Sequence, residues 1–186
     1  MLIEPKKEYE SQAKEFIKEF RDNNSEIHGT GGLDSHLDNY EEWLQKIDDY
    51  SKGINLGNLV SASTYFAIRE SDNKIVGMVN IRHYLNDFLL KLGGHIGYGV
   101  RPSERKKGYA TEILYLGLEK CQELGLDKVL LTCDKTNLGS VKTIQNNFGV
   151  LENEIQEDNR TIQRYWINVD YAVKNKKGGP DERKIK

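Results

Sequence analysis

The stretch from His95 to Leu124 constrains this chain more than any other. It reads as a short apolar strand, His95 to Val100, stopped at Arg101-Pro102, then a basic loop ending in Gly108, then a long amphipathic helix. Proline lacks a ladder donor and biases the residue before it away from helix, so the strand ends there. Beyond Gly108, Ala110, Ile113, Leu114, Gly117, Leu118, Cys121 and Leu124 share one helical face, with Glu112, Glu119, Lys120 and Glu123 opposite. Gly125 supplies the stop. The start of such a helix presents unpaired N–H groups and the positive end of its dipole. Arg105, Lys106 and Lys107 add charge beside those amides. The junction is a cradle for a pyrophosphate.

The rest of the chain arranges itself around that junction. Ala13, Phe16, Ile17 and Phe20 mark an amphipathic helix over Glu8 to Phe20, followed by a glycine-rich loop holding His28. Leu37, Tyr40, Trp43, Leu44 and Ile47 mark a second helix, whose other face carries Asp34, Asp38, Glu41, Glu42, Asp48 and Asp49. Thr64 to Arg69 and Ile75 to Arg82 read as a hairpin around a polar turn. Lys128 to Cys133 is a run of buried-strand type. Asn137 is placed to cap a helix from Ser140 to Asn147, and two late strands, Val150 to Gln156 and Thr161 to Val169, flank a turn. Residues 1–172 read as one domain, and 173–186 as a charged, disordered tail.

Composition removes several function classes. The formal net charge of −2 gives no basic field for nucleic acid or an anionic membrane surface. The charged N-terminus is no secretory signal, no apolar run approaches a bilayer span, and two cysteines at core-type positions fit a reduced, cytoplasmic protein. Four scattered histidines and no Cys-x-x-Cys give no metal site.

The pattern Arg105-x-x-Gly108-x-Ala110, after Val100-x-Pro102, resembles the acyl-CoA signature of the GNAT N-acetyltransferase superfamily. The order of two helices, three strands, helix, strand, helix and two strands is similar to that family over Met1 to Tyr171. Gly94 to Tyr98 and Thr132 to Asp134 resemble a bacterial group of predicted acetyltransferases. The resemblance implies an α/β GNAT fold: a central, mixed, mostly antiparallel, twisted sheet with helices on both faces. It also implies acetyl transfer from acetyl-CoA, as co-substrate, to the amine of an unidentified acceptor, small molecules included, by direct attack in a ternary complex. A homodimer is compatible with it.

For the cofactor, the resemblance assigns Arg105, Lys106, Lys107, Gly108, Tyr109, Ala110 and Thr111 to the pyrophosphate, with the main chain of Gly99 and Val100 pairing with pantetheine and Asn137 leading the next helix. Seven residues beyond Asn137, where the family commonly carries a tyrosine acid, stands Ile144. That departure leaves an alternative, a catalytically impaired acyl-CoA-binding sensor or interaction module. Tyr98 is the first candidate acid, and a core tyrosine otherwise; Tyr165 is weaker. His95 is the candidate base, its ordinary pKa of about 6.5 suiting that task, or else a plain strand histidine. His28 is the second. Gly97 and Gly99 fit either an irregular strand or close packing.

Overall fold

The computed structural model describes residues 1–176. Its order is β1 (Leu2–Ile3), α1 (Glu10–Asp22), α2 (Tyr40–Ser51), β2 (Ala62–Arg69), β3 (Lys74–Arg82), β4 (Ile96–Val100), α3 (Tyr109–Glu123), β5 (Lys128–Asp134), α4 (Leu138–Asn146), β6 (Val150–Glu157), β7 (Arg160–Asn168) and α5 (Val169–Lys174). The strands form two sheets, ordered β1-β2-β3-β4 and β5-β7-β6, and every ladder is antiparallel.

Alternation along the strands decides which helices lie on which face. Phe66, Ile68 and Met78 point to one side of the first sheet, against Phe16, Phe20 and Trp43 of α1 and α2. Val79, Ile81, Ile96 and Val100 point to the other, against Ile113, Leu114 and Leu118 of α3. That second cluster runs on into Val129, Leu131, Ile144, Tyr165 and Ile167, so one core spans both sheets beneath α3, α4 and α5.

Three elements depart from the expectation. β1 is two residues long and pairs Leu2 with Ala67. α2 starts at Tyr40, capped by Asn39, so Leu37 precedes the helix. α5 runs on to Lys174: Val173 packs on the core, and the Lys176 ammonium lies 4.0 Å over the Tyr115 ring and 3.2 Å from Glu112. The remainder of the expected tail, 177–186, lies outside the described residues. Among the described residues no helix is long and apolar enough to cross a membrane.

The two sheets meet at one point, beside the N-terminal end of β4. The His95 N–H donates to Leu130 O at 2.7 Å, and the Leu130 N–H donates to Nδ1 of His95 at 2.9 Å. The chain can approach β5 this closely because Gly94 (φ +65) precedes it; a Cβ there would lie 2.6 Å from Leu130 O. Beyond this clamp no ladder joins β4 to β5, so the strands part.

Candidate active site

β4 offers that gap an open edge. Bonded pairs alternate in an antiparallel ladder. Since Arg82 N–H donates to His95 O and Arg101 N–H to Val76 O, the peptide groups of Gly97 and Gly99 turn toward β3. Those of Ile96, Tyr98 and Val100 turn away from it. The Gly99 main chain therefore faces β3. Val100 faces the open edge, although its carbonyl already accepts from Nε of Arg105 at 3.2 Å.

After Val100 the chain makes a short turn, Pro102–Glu104, and two left-handed residues, Lys106 (φ 63) and Gly108 (φ 88), before α3 begins. Gly108 caps the helix with no side chain, and the N–H groups of Lys106, Lys107, Gly108, Tyr109 and Ala110 make no hydrogen bond among the described residues. Thr111 N–H returns to Gly108 O. Five unpaired donors in sequence at the positive end of a 15-residue helix suit a pyrophosphate.

The three basic side chains divide their work. Arg105 folds away from the cradle: Nη1 donates to Ser25 at 2.9 Å and the guanidinium lies 5.2 Å over the Phe20 ring. Lys107 donates to Glu104 at 2.8 Å, and Lys106 has no ion pair among the described residues. Glu104, itself buried, also accepts from Arg69 (2.9 Å) and Lys74 (3.2 Å) at the end of the β2–β3 hairpin. Burial alone would raise its pKa; Lys107, Arg69 and Lys74 outweigh that and hold it at about 2. The carboxylate thus fixes the loop to the hairpin. Nothing at the level of sequence spacing marks Glu104 for this.

Tyr98 points from β4 toward the α3–α4 side. Its hydroxyl is buried beside Ser140 and Thr143 of α4, yet makes no hydrogen bond of sound geometry. Burial is the main reason its pKa rises to about 12. A buried hydroxyl left unpaired costs about 1–3 kcal/mol, and the Ser140 and Thr143 side chains beside it only partly meet that need. Ile144 is buried in the core, with Gly149 packed on it so tightly that even a Cβ would clash. Tyr165 is also committed, its hydroxyl donating to Gln163 at 2.7 Å.

His95 does not sit free in the gap. Its Nδ1 accepts from Leu130, and burial together with the nearby Arg82 charge lowers its pKa to about 4. His28 is exposed, 3.2 Å from Glu26. Its loop lies flat on β4: a Cβ on Gly29 (φ +77) would come within 2.6 Å of Gly97 O, and one on Gly99 within 2.9 Å of His28 O. Gly99 is thus a packing glycine, whereas a Cβ on Gly97 would meet nothing closer than 3.4 Å. Asn137 caps α4 by accepting from Ser140 N–H at 3.1 Å.

The acidic face of α2 is locally paired. Lys7 holds Glu41, Lys52 lies 2.6 Å from Asp48, Gln45 and Asn55 donate to Asp49, and Asn39 donates to Glu42.

A family model described as an acetyltransferase (GNAT) domain matches residues 8–147, and the chain belongs to that family, whose acyl donor is acetyl-CoA. No curated protein matches the sequence. Solved structures do match in fold. Mycobacterium smegmatis RimJ in complex with CoA-disulfide has a TM-score of 0.68 at 14% identity, over 93% of this chain and 85% of that one. The ribosomal-protein-S5-alanine acetyltransferase of Vibrio fischeri has a TM-score of 0.66 at 15% identity, over 91% and 92%. A spermidine N-acetyltransferase SpeG chimera from Vibrio cholerae and hSSAT has 0.65 at 15%, over 94% and 99%.

Proposed function

We propose that the chain is an acetyl-CoA-dependent N-acetyltransferase that passes an acetyl group to an amine by direct attack in a ternary complex. The observation that carries this reading is the run of unpaired N–H groups from Lys106 to Ala110, next to the open edge of β4 and the unpartnered Tyr98 hydroxyl. Acetyl-CoA supplies the activated acyl group. The loop amides, with Lys106 and Lys107, hold the diphosphate. Tyr98 and Val100 offer main-chain groups to the pantetheine arm. Arg105 positions the loop rather than touching phosphate, and Asn137 acts through the start of α4.

As the C–N bond forms and the C–S bond breaks, Tyr98 donates its proton to the departing thiolate, and the proton that the nitrogen sheds returns to the tyrosinate through solvent. A hydroxyl with a pKa of about 12 stays neutral throughout the working range, as an acid must. His95 is a positioning residue in this scheme: with Nδ1 engaged and its pKa near 4, it keeps the two sheets joined at the apex of the gap. The amine loses its proton to solvent before attack. Direct transfer is favoured over an acyl-enzyme because burial, aided by Asp134, pushes the Cys133 thiol up to about 11, which leaves little thiolate. Cys121 is buried in the core.

The test is release of free CoA thiol from acetyl-CoA across a panel of amino acids, peptides and polyamines. Acceptor-dependent release is expected. Tight acetyl-CoA binding without release for any acceptor would overturn catalysis in favour of a binding module.

A further inference from the structure

Arg82 is the last residue of β3, and its guanidinium is anomalous. It is largely shielded from solvent, and no carboxylate lies within ion-pair distance among the described residues. Its contacts are two long hydrogen bonds from Nη1, 3.3 Å to Gly93 O and 3.4 Å to Gly94 O. A shielded cation that lacks a counter-ion is costly, and chains seldom keep one without use.

Its surroundings say what the use is. Register pairs His95 and Gly97 of β4 with Arg82 and Asn80 of β3, so the guanidinium stands over β4 on the face covered by the His28–Gly29 loop. The place a Cβ would occupy on Gly97 lies 3.4 Å from Nη1, 3.6 Å from Nη2 and 3.5 Å from Gly29 N. The Gly29 N–H makes no hydrogen bond among the described residues. Two nitrogens of a fork and one free amide therefore surround a spot above Gly97 that a side chain would fill and glycine leaves open. A guanidinium fork matches a carboxylate in shape and charge.

We propose that Arg82 and the Gly29 amide bind a carboxylate of the acceptor, so that the amine substrate is an amino acid or a peptide carrying a nearby carboxylate. The inference rests on the acetyltransferase reading for the word acceptor, but the anion site stands on its own geometry. It runs against a purely cationic acceptor such as a polyamine, which this guanidinium would repel.

The test uses the full chain saturated with CoA and two probes, N-acetylglycine and N-acetylglycinamide, which differ only in the carboxylate. Wild type should gain about 2–4 °C in Tm with N-acetylglycine at a few millimolar and nothing with the amide. Gly97→Ala should fold, since its methyl meets neighbours only at 3.4 Å and beyond, and should lose the carboxylate response. Arg82→Met should also lose it, while its own Tm without probe stays level or rises, because an uncompensated charge is gone. Equal response to both probes, no response in wild type, or a Tm fall of several degrees in Arg82→Met would overturn the proposal. In the turnover panel, carboxylate-bearing acceptors should exceed their amides at least tenfold in kcat/KM, and spermidine preference would refute it. Failure of CoA to bind, by contrast, would refute the acetyltransferase reading and leave the probe response to decide the anion site.

Discussion

Glu104→Gln removes the buried carboxylate that Arg69, Lys74 and Lys107 share, leaving Arg69 its second partner, Asp72. The Glu104 side chain is 5% exposed and the three cations 24%, 35% and 53%. Its carboxyl falls from 4.5 to about 2, burial opposing and the cations prevailing. At about 1.4 kcal/mol per pKa unit this corresponds to about 3 kcal/mol of stability at neutral pH. The figure sits at the lower edge of the roughly 3–5 kcal/mol lost when one partner of a buried pair is removed. That is expected, because Lys107 can swing into water. A loss of that size lowers Tm by about 6–12 °C in a domain of this length. The folded-state pKa is depressed, so the contribution is full above pH 4.5 and fades as pH falls toward 2. Urea denaturation of both proteins at pH 7 and pH 3 reads it: a gap of about 3 kcal/mol at the first, clearly narrower at the second. A gap below about 1 kcal/mol at pH 7, or one indifferent to pH, would refute the reasoning.

Tyr98→Phe should lower kcat by about 10²–10⁴ and leave the KM for acetyl-CoA nearly unchanged. Its Tm should not fall, because the hydroxyl it removes has no partner; a fall with full activity would make Tyr98 structural. His95→Asn, whose side-chain oxygen can accept from Leu130, should fold and flatten a specific pH dependence. The wild-type histidine binds its proton less well folded than unfolded, so stability is full above about pH 6.5 and declines as pH drops toward 4. Matching pH–stability curves for the two proteins would contradict the clamp.

The order of elements was legible because the hydrophobic period changes cleanly, from helix before Gly53 to strand after Ser61 and back to helix after Gly108. The cradle was legible for the same local reason: proline, glycine and helix start are neighbours in sequence. What the chain hid depends on partners far along it. Arg105 reads as a phosphate ligand until Phe20 and Ser25, 80 or more residues away, are seen to hold it. His95 reads as a base until Leu130 occupies its nitrogen. α5 is six residues and β1 two, too short for any period to register. Arg82 looks like an ordinary polar strand end, because only the register with β4 and the loop laid over Gly97 reveal that it faces inward without a counter-ion.

The central claim is that the Lys106–Ala110 amides bind the diphosphate of acetyl-CoA, and titration calorimetry of Gly108→Asp tests it most directly. The substitution sets a carboxylate among five unpaired N–H groups while leaving the buried core of α3 untouched. Charge-assisted bonds of about 1.5–3 kcal/mol each are lost or repelled there. Wild type should bind acetyl-CoA one to one, and a folded Gly108→Asp at least a hundredfold more weakly. Equal affinity in a folded variant would contradict the account.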